Sequence, residues 1–193
     1  MKAFSGFKSE ASSKKVAPLP AGAYVAKIKG VKIEGQEPDQ QLVLRVDVEE
    51  GEYKNYFFKR FTREKETSNY EPKYKGDYKL RIPNPDNKKA MYPETDLKRF
   101  NDAIYRIEQS NPDYHWDWDE NGLKGLLIGI NMQAGEYNGF PFTKIGRLEI
   151  VDDVRNGVVQ PMQSREQRGD ADDSTFIDKQ SGFVGVETDE LPF

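Results

Sequence analysis

The clearest signal along the chain is the strict alternation of apolar and polar residues from Gln41 to Glu49. Leu42, Leu44, Val46 and Val48 fall on one side of an extended chain, and Val43, Arg45, Asp47 and Glu49 on the other. This pattern predicts a strand with one face in a core. Upstream, Val25, Ile28, Val31 and Ile33 interleave with Lys27, Lys29 and Lys32, and the alternation changes phase near Gly30. A long first strand with a bend or bulge at Gly30 is expected. Gly35 and Pro38 break the chain into a turn between these two strands. After the turn Glu50-Gly51-Glu52, alternation continues through Tyr53–Phe61 and predicts a third strand. On that reading Tyr53, Asn55, Phe57, Lys59 and Phe61 share one face, while Lys54, Tyr56, Phe58 and Arg60 share the other.

The period changes after residue 95. Leu97, Phe100, Ala103, Ile104 and Ile107 recur at helical spacing, Thr95 can cap the start, and Asp96 suits the first turn. Pro112 ends the helix near Ser110. Residues 125–133 and 140–151 return to alternation and predict two more strands, with Leu126, Ile128, Ile130 and Met132 on one face of the first and Leu127, Gly129 and Asn131 on the other. Trp116 and Trp118 are expected to plug the barrel beneath the helix. Between the third strand and the helix, residues 63–93 form a polar insertion in which Tyr78–Ile82 reads as a short strand. Pro83, Pro85 and Pro93 prevent anything longer.

Three strands, a helix and two strands is the order of an OB-fold. The expected class is mainly β: a five-stranded Greek-key barrel with one α-helix between strands 3 and 4. Residues 1–20 read as a flexible arm, 21–155 as the barrel domain and 156–193 as a disordered acidic tail.

Composition sharpens this division. The chain has 193 residues, 36% hydrophobic and 32% charged, which suits one domain with segments left out of its core. It has no cysteine, which excludes disulfides and thiolate metal sites. No apolar run is long enough to span a membrane, and a soluble intracellular protein is expected. The formal net charge of −4 hides a segregation of sign. Residues 54–100 carry thirteen Lys/Arg against seven Asp/Glu, and residues 151–193 carry four against ten. A basic centre can bind a polyanion although the total is acidic.

Five aromatics and three cations lie within Glu52–Phe61. Rings on which bases stack, beside charges for phosphates, are what a single-stranded nucleic acid needs. Tyr56 and Phe58 are the expected stacking rings, and Lys54 and Arg60 the expected phosphate partners. Tyr74, Tyr78, Lys79 and Arg81 would extend the path. A competing reading is a metal-dependent nuclease built on the carboxylates of residues 113–120, with His115 among them. The loop fits a calcium motif from neither Asp113 nor Asp117, because the glycine and the final glutamate do not both fall in place. No metal, cofactor or catalytic set is implied, and a non-enzyme is expected. A third reading is an OB module that binds only proteins.

The chain closes on Glu187-Thr188-Asp189-Glu190-Leu191-Pro192-Phe193. This end resembles the acidic C-terminal tip of bacterial and phage single-stranded DNA-binding proteins. The barrel pattern and the two Gly-Glu-Tyr turns, at Gly51 and Gly135, are similar to the same group. The resemblance implies coating of single strands and recruitment of replication, recombination and repair proteins through Asp189, Glu190, Leu191, Pro192 and Phe193. It also implies a phage or prophage origin and action in the bacterial cytoplasm. Fewer consecutive acids, and Leu191 where isoleucine is common, depart from the group's usual tip. Self-association into a homo-oligomer is left open.

Overall fold

The computed structural model describes residues 17–84, 87, 93–137 and 140–162. The elements in chain order are β1 (Gly22–Glu34), β2 (Gln41–Val48), α1 (Tyr56–Thr67), β3 (Asp77–Arg81), α2 (Pro93–Ser110), β4 (Leu127–Tyr137), β5 (Phe140–Glu149) and α3 (Val151–Arg155). A single 3-10 turn, Glu120–Leu123, precedes β4.

β1 is long enough to serve both halves of the sheet. Its start pairs with β4, from Gly22 opposite Met132 to Lys27 opposite Leu127. Its remainder pairs with β2, from Ala26 opposite Val48 to Glu34 opposite Gln41, with a register shift between Ile28 and Gly30. The phase change in the sequence is this bulge, which lets one strand bend between two sheet directions. All neighbours are antiparallel, in the order β3-β2-β1-β4-β5. The sheet curls into a nearly closed barrel, compatible with an OB-like one. The outer strands β3 and β5 border the remaining gap. α2 lies against β3, β4 and β5 at this seam.

The interior holds Ile28, Leu44, Val46, Ile128, Ile130 and Leu148 from the strands, with Phe100 and Ile107 from α2. These are the apolar positions that alternation and helical spacing select. Leu19 is also buried, at 1% exposure, although the sequence assigns it to the N-terminal arm. No helix among the described residues is long and apolar enough to cross a membrane.

The expected third strand at Tyr53–Phe61 is instead a turn followed by α1. Gly51 and Asn55 adopt left-handed backbone, with φ of 79° and 59°. The Asn55 amide then donates to Val48 O at 2.8 Å and folds the chain back on β2. Asp47, from the outer side of β2, accepts from the amides of Phe57 (2.9 Å) and Phe58 (3.0 Å). These first-turn amides have no partner within the helix, and the carboxylate also complements the helix dipole. Once helical, Tyr56, Phe57 and Phe61 fall toward one side, which packs inward, with Tyr53 of the preceding turn against Tyr56. The third strand is the short segment Asp77–Arg81.

Two smaller expectations also change. Val43 and Asp47 were placed outward but are buried at 1% each. Trp116 packs against the core, whereas Trp118 lies 67% exposed, stacked on Phe100 at 5.9 Å and 13°. Pro93 opens α2 rather than ending a segment, as suits a residue with no amide to leave unpaired in a first turn.

Candidate nucleic-acid interface

The pairing of β1, β2 and β3 sets out the side chains of the outer sheet face. Lys32, Val43 and Lys79 lie in one row, Arg45 and Asp77 in the next, and Gln41 and Arg81 at the edge. Glu34 bridges the two lysines, at 2.5 Å from Lys32 Nζ and 2.6 Å from Lys79 Nζ. Hydrogen bonds from Lys32 and then Lys79 hold the Glu34 carboxyl down at about 2. Arg45 donates two bonds to Asp77, Nε to Oδ1 at 2.8 Å and Nη2 to Oδ2 at 3.0 Å. Its guanidinium also lies 4.7 Å from the centre of the Tyr74 ring, a cation–π contact. Arg81 reaches Asp96, in the first turn of α2, at 3.5 Å.

Tyr74 joins this face to α1. Its hydroxyl donates to Val46 O at 3.1 Å, and its ring packs against Phe57 and Phe61 with centroids 6.3 and 5.9 Å away. Burial pushes its phenol well above the ordinary range. Gly76 makes the packing feasible. A Cβ there would lie 2.4 Å from Val46 O, 2.8 Å from the Tyr74 ring and 2.9 Å from the Phe57 ring. The rings continue as a chain, Tyr74 to Phe57 to Tyr56 to Tyr53 to Tyr24, with neighbouring centroids 5.4 to 6.5 Å apart.

The residues singled out in the sequence divide accordingly. Lys79 and Arg81 are exposed on the outer face. Tyr78 lies on the other side of β3, packed against the core opposite Leu44, and burial raises its phenol. Tyr56 is half-buried, and its hydroxyl donates to Ala17 O at 2.6 Å. Phe58 is 60% exposed. Two residues apart on a helix, Tyr56 and Phe58 point in different directions and share no face. Lys54 is exposed and pairs with Glu49 at 3.2 Å. Arg60 is half-buried and pairs with Glu64, one helical turn on, at 2.7 Å. Asp189, Glu190, Leu191, Pro192 and Phe193 lie outside the described residues.

Sequence reasoning left four cations out of the site. Lys32 and Arg45 come to the outer face through sheet register. Lys59 and Arg63 are exposed on α1 and have no ion pair among the described residues. The spacing of four between Lys59 and Arg63 is a helical signal, hidden while the segment reads as a strand.

The acidic loop at 113–120 serves its own backbone. Asp117 Oδ1 accepts from the Asp119 amide at 3.1 Å, and Asp119 Oδ1 from the Asn121 amide at 3.0 Å. His115 Nδ1 lies 2.9 Å from Glu108. Among the described residues no group of three His, Asp or Glu side chains is placed to hold a metal ion. When compared with known proteins, the sequence matches no family model and no curated protein, so sequence pattern and geometry are what bear on its function.

Proposed function

We propose that this is a non-catalytic single-stranded DNA-binding protein of the OB type. It coats unpaired DNA through basic and aromatic residues and recruits replication, recombination or repair proteins through its C-terminal tip. The observation that carries the reading is the outer face of β1–β2–β3. There Lys32, Arg45, Lys79 and Arg81 share one face of a nearly closed five-stranded barrel, with Arg45 lying over the Tyr74 ring. The strand order is compatible with an OB-like barrel, and strands two and three are where that fold binds oligonucleotides.

The cations of this face are held by Glu34, Asp77 and Asp96. A phosphate enters by exchanging with one of these carboxylates, so the resting ion pairs keep the side chains extended and near their working positions. Exposed pairs of this kind contribute little to stability, so the exchange costs little. Stacking adds about 1–3 kcal/mol per base where a ring is accessible, and Phe58 on α1 is one exposed ring. At the tip, Phe193 fills an apolar pocket on a partner, while its carboxylate with Asp189 and Glu190 meets Arg or Lys.

Fluorescence anisotropy with a labelled dT oligonucleotide and a duplex of equal length tests the proposal. Preference for the single strand, with affinity falling linearly in log–log salt titration, is expected. Equal or no binding to both ligands would refute it.

A further inference from the structure

Resting on that reading, we infer that the outward face of α1 is itself a nucleic-acid contact, in which Phe58 stacks a base while Lys59 and Arg63 take successive phosphates. This adds to the sheet face a second contact, on a helix between β2 and β3.

Three observations converge on this face. Phe58, Lys59, Thr62, Arg63 and Glu66 line one shallow open concavity on the helix. Phe58 is 60% exposed, and nothing among the described residues covers it. Lys59 and Arg63 have no ion pair among the described residues, whereas Lys79 and Arg81 on the sheet must first surrender Glu34 and Asp96. A phosphate therefore meets Lys59 and Arg63 without displacing a carboxylate.

The geometry suits a strand of phosphates. Positions four apart on a helix lie about 6 Å apart on the same side, close to the separation of successive phosphates along an extended strand. Thr62 lies between the two cations and offers a hydroxyl to the same backbone. The helix is also fixed before any ligand arrives. Asp47 holds the amides of Phe57 and Phe58, Phe57 is 3% exposed in the core, and Arg60 pairs with Glu64 along the helix. A pre-positioned ring loses little freedom on binding. On the opposite, inward side, Phe61 packs against Tyr74, which in turn lies under Arg45, so the helix is anchored to the sheet.

The test measures salt-dependent anisotropy with a dT oligonucleotide for the parent, for Lys59→Ala with Arg63→Ala, and for Phe58→Ala. Lys98→Ala with Lys124→Ala serves as the charge-matched control, because both residues lie outside α1, are exposed and are without an ion pair among the described residues. Unchanged melting temperatures show that the exposed substitutions leave the fold intact. The Lys59/Arg63 double variant is expected to lose about 25-fold in affinity at 0.1 M salt, with a log–log slope shallower by about 1.4. Phe58→Ala is expected to lose about fivefold or more with its slope unchanged, and the control to retain the parent's affinity. If the parent binds and both α1 variants bind equally well, the helix contact is refuted while the sheet reading stands. An equal loss in the control also refutes it, since only total charge would then matter. A parent that does not bind dT refutes both readings.

Discussion

Replacing Glu34 with Gln should strengthen DNA binding, contrary to the usual effect of altering a binding face. Glu34 holds Lys32 at 2.5 Å and Lys79 at 2.6 Å above the buried Val43. With its carboxyl held at about 2, it remains charged throughout any practical assay. The sign follows directly. A carboxyl whose value is lowered keeps its pairs at neutral pH and loses them only as the pH falls through about 2. Glutamine keeps the shape and removes the charge, which leaves both lysines free for phosphate. Each added phosphate contact on a single strand steepens the log–log salt slope by about 0.7. One new contact is then worth about fivefold at 0.1 M salt relative to 1 M, and two are worth about 25-fold. The gain should vanish toward 1 M salt. Because the pair is exposed, the melting temperature should hardly move. Anisotropy of a labelled dT oligonucleotide at five or six salt concentrations reads both quantities. An unchanged slope with equal or weaker affinity would remove Lys32 and Lys79 from the binding path.

Other outcomes follow from the packing. Gly76→Ala forces a methyl group against Val46 O and the rings of Phe57 and Tyr74, and should cost about 1–3 kcal/mol in urea denaturation; parental stability would contradict the close approach. Asp47→Ala leaves the amides of Val48, Phe57 and Phe58 without their acceptor. A loss of about 3 kcal/mol is expected, with reduced helix signal in circular dichroism, and a fully helical variant would show that α1 forms without this cap. Burial raises the phenols of Tyr24, Tyr74, Tyr78 and Tyr114, so the neutral forms are favoured in the fold. The stability they carry is complete below about pH 10 and is lost as the pH rises through the higher folded-state values. Tyrosinate absorbance should therefore appear late and together with loss of β-sheet signal; early titration with the sheet intact would refute this.

The barrel was legible because apolar and polar residues alternate along its strands. Period two in Gln41–Val48 and the phase change at Gly30 specify β2 and the bulge of β1, and period 3.6 from Leu97 to Ile107 specifies α2. Tyr53–Phe61 was not legible by alternation, because aromatics this dense satisfy both periods at once. What decides is Asp47, ten residues before Phe57, together with two left-handed residues at Gly51 and Asn55. Only the tolerance of Gly and Asn for that backbone was visible in advance. The site followed the same division. Lys79 and Arg81 share a strand face by parity, and the same parity places Tyr78 opposite them. The ion pairs were not legible, since Lys79 meets Glu34 across 45 positions and Arg81 meets Asp96 across 15. Pairing separates the cations held by carboxylates from Lys59 and Arg63, and it appears only once the sheet is assembled.

Amide hydrogen exchange with and without a dT oligonucleotide tests the whole account at once. Slowed exchange over residues 43–46, 57–66 and 77–81, with 97–110 and 113–120 unchanged, is the result predicted. No protection anywhere, or protection confined to α2 and the acidic loop, would contradict it.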